Sequence, residues 1–125
     1  MTKRKKKELA ERLIDLLSKY DCFIDVAIYD GNDCIVPAPV NAHAGEPEIM
    51  ATRGMNTPYR LVKNRPYRDE YGNPDTLTVT FEGPLYNFMN SSDPLDIRSK
   101  MDALFESYGL YCEQGYAWSF ALYPV

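Results

Sequence analysis

No apolar run in the sequence approaches the ~20 residues that cross a bilayer, and the stretch from Met1 to Lys7 leads into an amphipathic pattern with acids, not into an unbroken apolar segment. Secretion and a membrane partner are therefore not expected, and the expected location is the cytoplasm. Cysteine is scarce: Cys22, Cys34 and Cys112 are an odd set, too scattered for a disulfide framework, which fits a reducing compartment. No two of them have the close spacing of a zinc knuckle, so no metal is expected. A glycine-rich phosphate loop, a serine-centred elbow and a His-Glu metal motif are all missing. No cofactor and no catalytic residues are expected on that ground, and the balance leans away from an enzyme.

With 125 residues, 45% of them hydrophobic and 26% charged, the chain matches an ordinary globular protein, and one domain over residues 1–125 is expected. Its net charge of -4 conceals a segregation. Residues 1–7 hold five of the 14 basic residues and residues 53–68 hold five more, neither stretch with an acid, leaving four against 18 acids. That remainder repels nucleic acid, so any phosphate contact has to use the two basic segments.

Leu9, Leu13, Leu16, Leu17 and Tyr20 recur at helical spacing and predict a first helix over residues 3–20. Its lysines stand where the helix dipole disfavours cations, so the first turn, residues 1–7, is expected to fray. Residues 22–29 and 34–36 read as a hairpin turning at Asp30 to Asp33, with Cys34 opposite Tyr29 and Pro37 closing the second strand. Residues 38–75 are rich in proline and glycine, with strand-like pieces at 49–53 and 59–63. Residues 76–82 alternate with Leu77, Val79 and Phe81 to one side, and residues 85–90 form one or two helical turns. Asp93 as cap, Pro94 at the first position and Gly109 past the end bound a second long helix whose stripe, Ile97, Met101, Leu104, Phe105 and Tyr108, repeats the offsets of the first. Residues 116–123 read as a core strand with Tyr116, Trp118, Phe120 and Leu122 on one face. The expected fold is α+β, a two-layer sandwich of a mixed or mainly antiparallel sheet with two amphipathic helices on one face. The other face carries small side chains, Thr76, Thr78, Thr80, Ala117, Ser119 and Ala121, open to solvent, a loop or a partner.

A long loop-rich stretch inside a small domain is where function concentrates. There Tyr59, Arg60, Lys63, Arg65, Tyr67, Arg68 and Tyr71 combine the residue types that dominate interface hot spots, and they form the candidate binding set. The leading expectation is a non-enzymatic adaptor or inhibitor that captures a protein partner through this loop. One alternative is a nucleic-acid binder using the basic N-terminus and residues 53–68, since tyrosines can stack bases. A second is a small enzyme assembled from Asp25, His43 and Cys34 or Cys112. A homodimer through an open sheet edge is a further expected partner mode.

Overall fold

Leu9, Leu13, Ile14 and Leu17 fall on one side of helix α1 (Lys3–Lys19) and have no solvent exposure in the computed structural model, which describes residues 1–125. The first turn, expected to fray, is capped: the Thr2 hydroxyl accepts the Lys5 amide at 3.2 Å. Lys6 also donates to the Pro74 carbonyl at 2.8 Å and pairs with Asp30 at 3.6 Å.

The hairpin forms as β1 (Val26–Asp30) and β2 (Asp33–Pro37), and Cys34 stands opposite Tyr29 in its register. The first strand begins at Val26 and not at Cys22. Asp25, read as an acid inside that strand, is exposed before it in left-handed backbone, φ 53°. Short strands β3 (Ile49–Ala51) and β4 (Pro58–Val62) come from the irregular middle, followed by β5 (Thr78–Phe81) and a short helix α2 (Pro84–Asn90).

Helix α3 (Ile97–Glu106) starts later than Pro94 because Asp96 adopts left-handed backbone, φ 56°. Asp93 still caps it, its carboxylate accepting the Ile97 and Arg98 amides at 2.8 and 2.9 Å. Gly109, at φ 70°, turns the chain out of the helix into β6 (Leu110–Gln114), which reverses into β7 (Ser119–Pro124).

All the strands form one sheet in the order β3-β4-β2-β1-β5-β7-β6, every neighbouring pair antiparallel. Strand alternation sends Ile28, Ile35, Val79, Phe81, Phe120 and Leu122 to one side, where they form a continuous core with Leu13 and Leu17 of α1 and Met101 and Phe105 of α3. Both long helices therefore pack on the same sheet face. Tyr116 and Trp118, read as the start of a core strand, instead lie in the turn between β6 and β7, outside the buried core. The chain has to reverse there to pair those strands, and the side chains of the turn are released toward the second face.

Candidate functional site

The second sheet face is lined by Ala27 and Tyr29 of β1, Cys34 and Val36 of β2, Thr78 and Thr80 of β5, and Ser119 and Ala121 of β7, as their cross-strand pairing requires. Part of it is roofed by the chain between β4 and β5. Asn73 anchors that segment: its amide donates to the Thr78 hydroxyl at 2.9 Å and its side-chain amide to the Leu122 carbonyl at 2.8 Å. Thr76 adds a hydroxyl bond to the same carbonyl. Thr78, Ser119 and Ala121 are buried beneath the roof.

Aromatic contacts brace the roof. Tyr67 meets the edge of Tyr29 at 5.3 Å between ring centroids, and Tyr71 meets Tyr116 at 5.1 Å. Tyr116 lies flat on Trp118 at 4.5 Å with 11° between the ring planes. Gly72 is required by this packing, because a Cβ there would strike the Tyr67 ring.

Beside the roof the face opens into a cleft of about 840 Å³. Ala27, Val36 and Thr80 form its floor, with Tyr67 and Trp118 among its walls. Four charged side chains stand at it: Asp25, Asp69 and Glu82 against Arg68. None of the four takes part in an ion pair within the molecule. The volume is that of a pocket for a drug-sized molecule or a short chain segment.

Of the candidate binding set, Tyr67 and Arg68 reach this cleft and the other five do not, while Asp25, singled out for the enzyme alternative, also stands at it. Tyr59 is a correction: it is 2% exposed, on the helix side of β4, and donates its hydroxyl to Glu11 at 2.6 Å. Burial and then the Glu11 carboxylate push its phenol well above the ordinary range. Arg60 pairs with Glu48 at 2.8 Å and Lys63 with Asp33 at 3.4 Å. Arg65 stands close enough to Tyr29 and Cys34 to influence both groups. Tyr71 is exposed and supports Tyr116. Asp69 and Glu82 were not singled out from the sequence, and Trp118 was read only as part of a core strand. The available signal for Trp118 was Gly115, which marks the turn between two strands.

Cys34, Cys112 and His43 are not brought together. Three strands separate β2 from β6, which places Cys34 and Cys112 roughly 19 Å apart at the usual strand spacing. They also face opposite sides of the sheet, since Cys112 pairs across from the core residue Leu122. His43 is exposed in the loop after β2. Burial pushes the thiols up, Cys22 to about 11, Cys112 to about 12, and Cys34 in the same direction. Since the thiolate is the reactive form, a disulfide reagent at pH 8 should label Cys22 and Cys112 of the folded chain about 100-fold or more slower than a free thiol, and Cys34 should also lag behind a free thiol. All three sites should react at once in denaturant. Rapid labelling of one native thiol would restore a cysteine nucleophile to consideration.

Comparison with known proteins finds no matching family model, no matching curated sequence and no matching solved structure.

Proposed function

We propose that the chain is a non-enzymatic binding module that takes an exposed segment of a partner protein into the cleft on the second sheet face. The observation that carries it is the union of an apolar floor, aromatic walls and unpaired charge in one cleft of about 840 Å³. Burying an aliphatic or aromatic side chain against Tyr67 and Trp118 supplies affinity, because aromatic-lined pockets are where interface hot spots dock. Three carboxylates against one arginine favour a Lys or Arg next to that anchor. Their contribution is mainly to orientation and on-rate, because charges at a solvated rim are screened.

A peptide array tests this directly. Selected sequences should pair an apolar or aromatic residue with an adjacent basic one. Trp118→Ala, checked for folding by circular dichroism, should weaken the best peptide by about 30-fold, the loss typical of a hot-spot residue. Asp69→Lys combined with Glu82→Lys should reverse the preference toward acidic flanks. Unchanged affinity in folded Trp118→Ala, or selection of wholly polar peptides, would overturn the assignment.

A further inference from the structure

The basic N-terminal segment meets Arg53 and Lys63, two of the five cations of the second basic segment, on the helix side of the sheet, away from the cleft. Two hollows adjoin where α1 begins and the turn between β3 and β4 approaches it. One, of about 790 Å³, includes Arg4, Lys7 and Arg53 in its lining and has no hydrophobic residue at all. The other, of about 490 Å³, carries Lys3, Arg4, Lys7 and Lys63 around Tyr59 and Leu61. Arg4 and Lys7 are common to both, so the hollows form one continuous surface, lined by six cations (Lys3, Arg4, Lys5, Lys7, Arg53 and Lys63) against four carboxylates.

Lys3, Arg4, Lys7 and Arg53 have no carboxylate partner in the structure. The neighbouring acids are already engaged. Glu8 is held by Lys5 and Arg12, Asp30 by Lys6 and Asp33 by Lys63. Glu11 receives the Arg53 amide and the Tyr59 hydroxyl. The first turn of α1 contains no acid, so its cations sit against the positive end of the helix with nothing inside the fold to offset them. The patch draws on α1, the turn after β3 and the residue after β4, which separates it from an ordinary solvated helix start.

We propose that this surface binds the phosphates of single-stranded nucleic acid. A lipid surface fits less well, because insertion needs exposed apolar side chains, and the apolar stripe of α1, including Leu9, Leu13 and Leu17, is buried in the core. An acidic protein partner also fits less well, because the larger hollow has no hydrophobic lining and in the smaller one Ile35 and Tyr59 are buried and only Met50 is exposed, too little apolar surface for an interface core. A rigid duplex would carry its flanking phosphates against the remainder of the chain, which holds four basic residues against 18 acids. A flexible single strand can follow the patch and turn away.

The test is fluorescence anisotropy of a labelled 12-nucleotide oligo-dT. Four neutralised phosphates correspond to a loss of affinity of about 50-fold between 50 and 200 mM salt. Lys7→Glu with Arg53→Glu should abolish binding, whereas Arg65→Glu, beside Cys34 and Tyr29 on the second face, should leave it unchanged. Lys7→Glu alone should raise the thermal midpoint while weakening the oligonucleotide complex, an opposition that a structural role for Lys7 does not produce. Absence of binding at 50 mM salt, unchanged binding in the folded double variant, or equal affinity for duplex DNA, poly-glutamate or anionic vesicles would overturn the proposal.

Discussion

Phe120→Ala should lower the stability of the fold by about 3–5 kcal/mol, the range for removing a buried aromatic ring from a packed core. Phe120 is fully buried in β7, between β5 and β6 in the sheet. Its ring lies 5.6 Å from that of Phe81 on the sheet and 5.8 Å from that of Phe105 on α3. Truncation therefore removes one of the contacts that join the sheet layer to the second long helix, and leaves a void lined by two other rings. A typical domain has only about 5–15 kcal/mol in total, so the variant should unfold at a much lower urea concentration. Phe120→Leu, which keeps most of the volume, should lose about half as much. Val40→Ala is the surface control, 91% exposed in the loop after β2, with an expected change within about 0.5 kcal/mol. A Phe120→Ala loss below about 1 kcal/mol would mean that the Phe120 ring is not packed between Phe81 and Phe105 as the structure has it.

The two helices and their common orientation were legible because periodicity reports burial directly. Leu9, Leu13 and Leu17, and likewise Ile97, Met101 and Phe105, are all core residues in the structure. The hairpin register was legible from turn chemistry at Asp30 to Asp33. Strand order was not. Pairings such as Val36 with Arg60 or Val79 with Phe120 join residues remote in sequence, and local pattern holds no information about which distant strand is the neighbour. The alternation from Tyr116 to Leu122 misled for a related reason. Period two continues across Gly115 to Trp118, yet the chain must turn there so that β6 can pair with β7.

The candidate site was legible only in part. Tyrosine and arginine intermingle from residue 59 to residue 71, which suggested a single surface. Strand geometry divides them, sending Tyr59 and Leu61 of β4 to the helix side and Arg60 and Val62 to the other. Only after β4 ends does the chain cross the second face, which is why Tyr67 and Arg68 line the cleft. The carboxylates at the cleft come from three separated segments, Asp25, Asp69 and Glu82, and no spacing rule connects them.

Glu11→Ala should cost about 3 kcal/mol and weaken anion binding even though it deletes a negative charge. Glu11 is 5% exposed, and its carboxylate accepts the Tyr59 hydroxyl at 2.6 Å and the Arg53 amide at 3.1 Å. Hydrogen bonds to a charged acceptor contribute about 1.5–3 kcal/mol, and removing the acceptor strands a buried hydroxyl at a further cost of about 1–3 kcal/mol. Tyr59→Phe removes the donor without leaving an orphan and should cost less, about 1.5 kcal/mol. The double variant should then lose less than the sum of the two, a coupling that a double-mutant cycle in urea measures. The same bonds govern where Arg53 sits. Glu11 and Asp15 together hold the turn after β3, with Asp15 accepting the Thr52 and Thr57 hydroxyls at 2.6 and 2.9 Å and the Met55 amide at 3.2 Å. Coulomb attraction alone predicts that losing Glu11 tightens phosphate binding. Loss of the fixed turn predicts the reverse, and it should win, because one screened charge changes affinity little while a displaced Arg53 removes a contact outright. Oligo-dT affinity of Glu11→Ala above that of the natural chain would show that the patch acts as diffuse charge and not as a positioned set of cations.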